Sequence, residues 1–415
     1  MPTQNLDDFF NVDSSASLIK DWKYFDDDFL PEVLHHREDK LEKIAKHLST
    51  AFTQQTKLNP LILVGTPGTG KTACLKKIHE VVSRNASKMK KPIKVFYLRV
   101  GNMNSSTLYR YIANDIRTDG KFTPKGGQGG VYEKQRTIEK FLDLIGESAT
   151  GGKFHYIIIF DEIDKMLMRE RKNLSKSVAV NPLHYFQCIE LKHSICSIVC
   201  ALNDIRCISR LDSSTSSRFK AITITYPKYN ADELKDIIQD RIDKALMPDS
   251  VSGGAVSFLS SRMADRSGDC RETLSILKQA IIDGQESNAT MIEESHIREG
   301  EKKFKRITLL TQYNSLPLHY RLILKSVLQK WLDNKKREIE SQYVYDYYKT
   351  LCTHLRQKED PLESRTVWEY VNTLQQMGFI NVRKRGLGRG LGVSNFLSVT
   401  PETLTIMGEI ENEEE

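Results

Sequence analysis

The sequence predicts an α/β core, in which a mostly parallel sheet carries helices on both faces, followed by a helical lid and a C-terminal winged-helix domain. Three observations lead to this fold class. A glycine-rich motif follows an apolar run at 61–64, strand-like and helix-like patterns alternate up to about residue 228, and three helical patterns precede two short strand patterns near the C-terminus. Strands that alternate with helices favour a parallel sheet with its ligand at the carboxyl ends of the strands.

The glycine-rich motif at 65–72 reads GTPGTGKT and opens a helical pattern at 73–82. Glycines allow a tight turn whose backbone N–H groups face phosphate oxygens, and the following helix N-terminus favours anions. Lys71 would reach the β- and γ-phosphates of ATP or ADP, and the Thr72 hydroxyl would bind Mg²⁺. The predicted nucleotide-binding residues here are Gly65, Thr66, Pro67, Gly68, Thr69, Gly70, Lys71, Thr72 and Ala73.

A second element of the phosphate site is predicted at 156–162, which reads YIIIFDE. The apolar run is typical of a strand that is buried on both faces. Asp161 at its end would bind Mg²⁺ through water, and Glu162 would orient or deprotonate the attacking water. Two adjacent acids at this place favour a hydrolase over a passive nucleotide-binding protein.

Composition narrows the class of protein further. The 415 residues carry a net charge of +7 with a pI near 8.8, which permits a polyanionic partner where the basic residues cluster. They cluster at 302–306 and 383–385, whereas the tail at 409–415 is acidic. No run of eighteen apolar residues occurs, so no membrane span is expected. Seven scattered cysteines without a C-x-x-C pair argue against disulfides and zinc, and predict a reducing, intracellular compartment.

The chain divides by pattern into an N-terminal arm (1–28), a nucleotide-binding domain (29–228), a helical lid (229–306), a winged-helix domain (307–408) and an acidic tail (409–415). An amphipathic helix is predicted at 31–52, and the predicted strands are 61–64, 95–100, 156–160, 195–202 and 221–226. The predicted lid helices are 231–245, 255–265 and 270–284.

The last domain predicts helices at 319–331, 341–356 and 364–377, then strands at 379–382 and 396–400 around a turn-rich tip at 383–392. Arg365 and Thr366, at the start of the third helix, would contact base edges. The tip residues Arg383, Lys384, Arg385 and Arg389 would contact phosphates or the minor groove. Residues 117–131 form a glycine-rich, basic loop that is too irregular for a strand or a helix.

Three polar residues complete the predicted catalytic set. Asn203 follows the fourth strand pattern and would hold the attacking water or the γ-phosphate. Arg218 precedes the fifth strand, where it would reach the nucleotide of a neighbouring subunit. Arg271 begins a lid helix and would report the nucleotide state by contacting the γ-phosphate.

The ordered motifs GTPGTGKT, FDEID, ALND, SSRF and GDCRETL, followed by a winged helix, resemble those of the AAA+ replication initiators related to the origin recognition complex and cell division control protein 6, in their compact archaeal form. The resemblance implies an AAA+ P-loop ATPase core in which the segment from Leu30 to Arg37 lines the adenine pocket. It also implies that Asn203 is sensor 1, Arg218 the arginine finger and Arg271 sensor 2. The loop with Lys121 and Lys125 would match the initiator-specific insert that contacts DNA.

One departure affects the arginine finger. Archaeal members often carry an arginine where this chain has Ser214, and Arg218 matches the eukaryote-like SRF arrangement, so Arg210 stays a reserve candidate. The polar tract at 169–180 has no assigned role.

The resemblance implies an ATP-dependent initiator that binds double-stranded origin DNA and helps recruit or load the MCM helicase. ATP binding with slow hydrolysis would be the switch, and further copies or paralogues would be partners. Such a protein is expected in the cytoplasm on the chromosome, or in the nucleus of a eukaryote. The main alternative is a nucleotide-switched winged-helix transcription regulator. A clamp-loader-like machine and a helicase or translocase are further alternatives.

Overall fold

The computed structural model describes residues 18–54, 56–101, 103, 107–109, 112, 135, 138–139, 142, 153–169, 182–204, 206, 220–354, 360–386 and 393–411. The described chain up to Ser275, together with 290–294, forms one compact unit. Residues 276–289 and the described residues from 295 onward form the second unit.

A five-stranded parallel sheet is the centre of the first unit. Its strands are β1 (Leu61–Val64), β2 (Ile93–Arg99), β3 (Phe154–Asp161), β4 (Ser194–Leu202) and β5 (Ile222–Thr225). In space they follow the order β2-β3-β4-β1-β5, and every neighbouring pair is parallel. The predicted sheet type is therefore confirmed. Because β4 lies between β3 and β1, the residues that follow these three strands meet at one edge of the sheet.

Helices cover the sheet, and their apolar sides form a separate core on each of its faces. They include α1 (Glu38–Thr53), α2 (Lys71–Lys88), α3 (Ile163–Arg169) and α4 (Pro182–Cys188). The prediction of a helix from residue 31 is wrong at its start, because α1 begins at Glu38. His36 has a φ of 60°, a left-handed conformation that cannot continue a right-handed helix.

Three lid helices follow the sheet: α5 (Ala231–Ala245), α6 (Gly253–Arg266) and α7 (Cys270–Glu286). Asn230 and Glu233 form a capping box at the start of α5, which satisfies backbone donors on both sides of the helix end. A short 3₁₀ helix, Trp22–Phe25, packs on α5. The N-terminal chain also pairs with the end of α5, where the Lys20 amide donates to the Ala245 carbonyl at 2.7 Å.

The second unit contains the winged helix. Its elements are α8 (Glu294–Asn314), α9 (Leu318–Asp333), β6 (Ile339–Glu340), α10 (Ser341–His354), α11 (Ser364–Gln376), β7 (Ile380–Gly386), β8 (Val393–Val399), α12 (Pro401–Leu404) and α13 (Met407–Glu411). The three strands pair antiparallel in the order β6-β8-β7. The predicted three-helix and hairpin pattern is confirmed. Within the described ranges, no helix is long and apolar enough to cross a membrane.

The basic run at 302–306 lies inside α8, a helix that the sequence patterns did not predict. Much of its charge is neutralised within the second unit. Lys303 pairs with Asp283 at 2.8 Å, Lys305 pairs with Glu301 at 3.0 Å, and Lys302 pairs with Glu299 at 3.1 Å. This run therefore offers less free charge to a polyanion than its composition indicates.

Candidate functional site

The glycine-rich motif forms a loop between β1 and α2, as the sequence predicts. Gly68 and Gly70 have φ values of 69° and 90°, which glycine adopts without strain, and Gly70 is the N-cap of α2. A side chain at Gly65 would collide with the carbonyl of Tyr226. The loop therefore requires glycine for its conformation at two positions and for space at a third.

Lys71 lies in the first turn of α2 and points back into the loop. Its Nζ donates to the carbonyls of Gly65 and Thr66 at 2.7 and 2.8 Å. Burial lowers the pKa of Lys71 from 10.5 to about 8, against the opposing attraction of Asp161. An anion placed in the loop would stabilise the charged ammonium and reverse this effect.

Arg37 contacts the backbone of the phosphate loop and of the segments next to it. Its guanidinium donates to the carbonyl of Thr69 at 2.9 Å, of His36 at 2.6 Å and of Pro227 at 3.0 Å. The side chain is only 2% exposed, and it does not line the cleft that contains the loop. The resemblance implied an adenine contact, whereas the observed contacts of Arg37 are with the backbone around the loop.

Asp161 ends β3 and is 1% exposed. The hydroxyl of Tyr97, on the neighbouring strand β2, donates to its Oδ2 at 2.7 Å. Burial, and then the negative charge of Asp161, raise the pKa of Tyr97, which keeps the phenol protonated as a donor. The carboxylate is therefore fixed in orientation, in the way that a hydrogen-bond donor behind a metal ligand fixes that ligand.

Glu162 follows Asp161 with a φ of 59°, in the left-handed region that is uncommon outside glycine. Its Oε1 lies 3.0 Å from Nζ of Lys165, and its Oε2 lies 3.8 Å from Nε of Arg99. Gly101 packs against the same carboxylate, so that a side chain at this position would displace the carboxylate. Backbone strain of this kind is concentrated at functional sites, and here it sets the direction of the predicted catalytic carboxylate.

Asn203 follows β4 and lies between the phosphate loop and the end of β3, as the strand order requires. Its backbone amide donates to Oδ2 of Asp164 at 3.3 Å. Asp164 is 6% exposed, burial raises its pKa, and its Oδ1 has no hydrogen-bond partner among the described residues. The sequence reasoning assigned no role to Asp164, although the FDEID motif contains it.

The start of α7 touches the phosphate loop. The Cys270 amide donates to the Gly68 carbonyl at 3.2 Å, and the Asp269 side chain packs against Gly68. Asp269 also caps the helix, since its Oδ1 accepts from the amide of Glu272 at 3.0 Å. Arg271 is one residue farther along and lines the cleft. A movement of the lid helix is therefore coupled directly to the loop.

These elements enclose a cleft of about 270 Å³ in the first unit. Of the predicted nucleotide-site residues, those that line it are Leu30, Pro67, Gly68, Thr69, Gly70, Lys71, Thr72, Ala73, Asp161, Glu162, Asn203 and Arg271. Gly65, Thr66 and Arg37 lie outside that lining. The lining also includes the apolar side chains of Leu34, Ile237 and Leu274, which suit the flat ring of a base.

The winged helix presents a separate group of predicted contacts. Arg365 is exposed at the start of α11, and Thr366 is half-buried. Arg383, Lys384 and Arg385 lie on β7, and all three are exposed. The prediction that the first strand ends at residue 382 is wrong, because β7 continues into the turn-rich segment to Gly386, which pairs with Val393 of β8. These three cations therefore lie on a hydrogen-bonded strand.

An acidic residue restrains two of these cations. Oε1 of Glu338 lies 3.2 Å from Nη1 of Arg383, and Oε2 lies 2.7 Å from Nη2 of Arg385. Arg385 also lies over the ring of Phe396, 5.6 Å from its centroid. Glu338 thus forms ion pairs with both guanidinium groups.

Three family models match consecutive stretches of this chain. The model "ATPase family associated with various cellular activities (AAA)" matches residues 61–226, "Cdc6 AAA+ ATPase-type lid domain" matches 235–302, and "CDC6, C terminal winged helix domain" matches 311–406. Their order and nature agree with the sheet, lid and winged helix described above.

The chain belongs to the Cdc6/Orc1 family of AAA+ ATPases.

Relatives that match along nearly the whole chain agree with this assignment. The chain is 26% identical over 397 residues to the "ORC1-type DNA replication protein" of Methanosphaera stadtmanae, covering 94% of this chain and 95% of that protein. It is 26% identical over 375 residues to the "ORC1-type DNA replication protein 1" of Archaeoglobus fulgidus, covering 90% and 86%.

The fold is also that of a solved structure, the Aeropyrum pernix ORC1 protein in complex with DNA. The TM-score is 0.78 at 24% identity, and the match covers 96% of this chain and 98% of that one. The likeness shows that this chain has the architecture of a Cdc6/Orc1 protein.

Several residues that the family resemblance singled out lie outside the described residues. They are Arg218 with its reserve Arg210, Arg389 at the hairpin tip, and Lys121 and Lys125 in the insert. Their roles stay predictions. Most of the polar tract at 169–180 falls outside the described ranges too.

Proposed function

We propose that this Cdc6/Orc1 protein is an ATP-dependent replication initiator that binds double-stranded origin DNA and helps recruit or load the MCM helicase. The observation that carries the proposal is that one chain combines a nucleotide cleft with a Cdc6-type winged helix whose strand β7 carries three successive cations. The names of its relatives and the DNA complex of the Aeropyrum pernix protein support it. Binding to origin DNA would place the protein on the chromosome.

ATP would act mainly as a switch. The start of α7 contacts the phosphate loop through Cys270 and Gly68, and Arg271 lines the same cleft as Lys71. A γ-phosphate would attract Arg271 and so bias the position of the lid, whereas ADP lacks that group. This arrangement supports a nucleotide-dependent change of conformation.

Hydrolysis would be slow. Glu162 is the proposed base or water-orienting residue, and its carboxylate pairs with Lys165 at 3.0 Å. This pair competes with the water for the carboxylate. The proposed arginine finger, Arg218, would come from a neighbouring copy or paralogue, so an isolated chain would lack a contribution of about 10³- to 10⁵-fold in rate.

Mg²⁺ fits the donors at the phosphate site. The hydroxyl of Thr72 and the carboxylate of Asp161 line one cleft, and Asp161 is held in orientation by Tyr97. Hard oxygen ligands of this kind, together with nucleotide phosphates and water, are what Mg²⁺ prefers. These two residues would hold the ion, which would neutralise phosphate charge when bound.

DNA would be bound through the winged helix, with Arg383, Lys384 and Arg385 on phosphates or in the minor groove and Arg365 and Thr366 at base edges. Replacing the three cations of β7 with alanine should reduce the salt dependence of DNA affinity by roughly 0.9 in slope for each phosphate that the protein no longer neutralises. Arg389, Lys121 and Lys125 are proposed to add to this interface.

The experiment that tests the function is footprinting of the purified protein on fragments of its own genome, with ATP and with ADP. Protection of a few repeated intergenic elements by the wild type, altered between the two nucleotides, is expected. Lys71→Ala should show the same footprint with either nucleotide. Protection spread over many promoters would contradict the proposal and would support the transcription-regulator alternative instead.

A further inference from the structure

Arg241 is a buried cation in the lining of the cleft, on the lid helix α5. It lines the cleft and is only 7% exposed. Its guanidinium carbon lies 4.7 Å from the centroid of the Phe29 ring, in the N-terminal segment that also lines the cleft. A charged side chain thus belongs to the same lining as the apolar groups that suit a base.

Within the described part of the chain, two of its N–H groups are unpaired. Nε and Nη1 of Arg241 are sealed from water, and neither has a hydrogen-bond partner among the described residues. Burial lowers the pKa of Arg241, although a guanidinium stays protonated in proteins. A buried charge with unsatisfied donors is strongly unfavourable unless a partner reaches it.

The neighbouring acid does not supply that partner. Oδ2 of Asp240 lies 3.9 Å from Nη1 of Arg241, which is beyond hydrogen-bond distance. Oδ1 of the same carboxylate lies 2.7 Å from Nζ of Lys244 and 3.4 Å from Nε2 of His35. Asp240 therefore attracts the charge of Arg241 electrostatically but accepts no hydrogen bond from it.

A comparison with Arg37 shows that the chain satisfies buried guanidinium groups where they act structurally. Arg37 is similarly buried, yet it places three donors on backbone carbonyls at 2.6 to 3.0 Å. Nε and Nη1 of Arg241 have no such acceptors among the described residues. An apolar side chain of the same length would fill this position at a lower cost in free energy, and the contact with the Phe29 ring leaves Nε and Nη1 without an acceptor.

A purine base offers the missing acceptors. Its ring nitrogens carry lone pairs in the plane of the ring, and the apolar lining residues Leu34, Ile237 and Leu274 suit its faces. We propose that Arg241 is the base-recognising residue of this cleft and donates to a purine ring nitrogen when Phe29 moves aside. The inference rests on the proposed binding of ATP, and it adds the group that recognises the base.

The test measures the affinities of wild type and Arg241→Met for ATP and for its 1-deaza, 3-deaza and 7-deaza analogues, each of which lacks one ring nitrogen. Methionine keeps much of the length and the apolar packing of the side chain. Arg241→Met should bind ATP about 10- to 100-fold more weakly, as expected for loss of a hydrogen bond to a charged group. The difference between the two proteins should vanish for the analogue that lacks the recognised nitrogen.

Lys235→Met is the matched control, because it removes one charge from the exposed side of the same helix. It should bind ATP and every analogue as the wild type does. Arg241→Lys should recover part of the affinity for ATP, since an ammonium can donate to one acceptor.

Thermal unfolding separates recognition from a structural role. Without nucleotide, Arg241→Met should unfold at the wild-type temperature or above it, because a buried unpaired charge is removed. The rise in unfolding temperature on adding ATP should be smaller for Arg241→Met than for the wild type. A variant that unfolds earlier without nucleotide, or that retains the wild-type affinity for ATP, would overturn the inference while leaving the proposed function intact. A wild-type protein that does not bind ATP would contradict both.

Discussion

The guanidinium of Arg37 stacks on the ring of Tyr229, with 3.8 Å between its central carbon and the ring centroid. The same guanidinium donates to the carbonyl of Thr69, and the Tyr229 hydroxyl approaches Gly70 so closely that a side chain there would lie 2.8 Å from it. The amide of Tyr229 in turn donates to the carbonyl of Gly268, just before the lid helix α7, at 3.3 Å. One buried cation thus joins the phosphate loop to the start of that helix.

Arg37→Ala should therefore lower the free energy of unfolding and weaken ATP binding together. Three carbonyls would lose their charged donor, and we expect a loss of about 3 kcal/mol in stability. Urea unfolding with and without ATP measures both effects. Lys43→Ala, which removes an exposed cation from α1, is the control. Unchanged stability of Arg37→Ala would contradict the role of this network.

Tyr97→Phe should weaken Mg²⁺-dependent hydrolysis with little effect on the fold. The hydroxyl that orients Asp161 at 2.7 Å is removed, while the ring remains. Removing a donor that orients a metal ligand costs about 10- to 100-fold in metal affinity or activity. Titration of the ATPase rate with Mg²⁺ measures the shift. Tyr156→Phe is the matched control, because its hydroxyl faces the Leu142 carbonyl at 3.4 Å rather than the cleft; equal effects of the two variants would contradict the assignment.

ATP affinity should fall as the pH rises above about 8, the lowered pKa of Lys71 in the free protein. Below that pH the ammonium of Lys71 is charged in both the free and the ATP-bound protein. Above it, the free protein must take up a proton when ATP binds, which weakens affinity by up to about tenfold per pH unit. Calorimetry from pH 7 to 9 in two buffers measures both the affinity and the proton uptake. Lys71→Ala should show no such proton uptake, and a flat wild-type profile would contradict the prediction.

The stability of the nucleotide-free protein should respond to pH in the opposite direction. The folded-state pKa of Lys71 is about 8 against an ordinary 10.5, so the unfolded chain binds more protons between those values. Stability contributed by this group therefore rises with pH across that window. The difference in unfolding free energy between wild type and Lys71→Met, followed from pH 7.5 to 10, should show that slope.

Glu338→Gln should strengthen DNA binding. The change releases Arg383 and Arg385, which Glu338 holds at 3.2 and 2.7 Å, so that both can pair with phosphates. The slope of log affinity against log salt should steepen by up to roughly 0.9 for each phosphate that is newly neutralised. Asp333→Asn, the same charge change at the end of α9, is the control. Equal gains for both variants would show a general charge effect and contradict the specific one.

The core of the fold could be predicted from sequence because its signals are local. The apolar runs at β1, β3 and β4 predicted strands whose ends are correct to within two residues, and the motif at 65–72 predicted the loop and the following helix. That helix, predicted at 73–82, continues six residues farther, to Lys88. The wrong predictions have physical causes as well. The left-handed conformation of His36 moves the start of α1 to Glu38. The sequence pattern of the basic residues at 302–306 indicates only a charged cluster, whereas they lie in α8, where Lys303 and Lys305 pair with acidic residues.

Only those residues of the site that lie within a recognisable sequence motif could be predicted. Lys71, Asp161 and Asn203 stand beside strand ends that the sheet order brings together. The roles of Tyr97, Arg241 and Glu338 depend on contacts between distant parts of the chain, or on buried donors that no described residue pairs with. No spacing along the sequence contains that information. Arg37 shows the converse, since the family resemblance implied a base contact, whereas its guanidinium donates to backbone carbonyls.

The proposal as a whole is tested most directly by comparing, in cells, the chromosomal sites bound by this protein with the positions at which replication begins. We predict that binding is concentrated at one or a few places, that nascent strands start there, and that Lys71→Ala changes the occupancy. Binding at many promoters with no relation to the starts of nascent strands would contradict the proposal. The nucleotide cleft would then belong to a regulator of transcription.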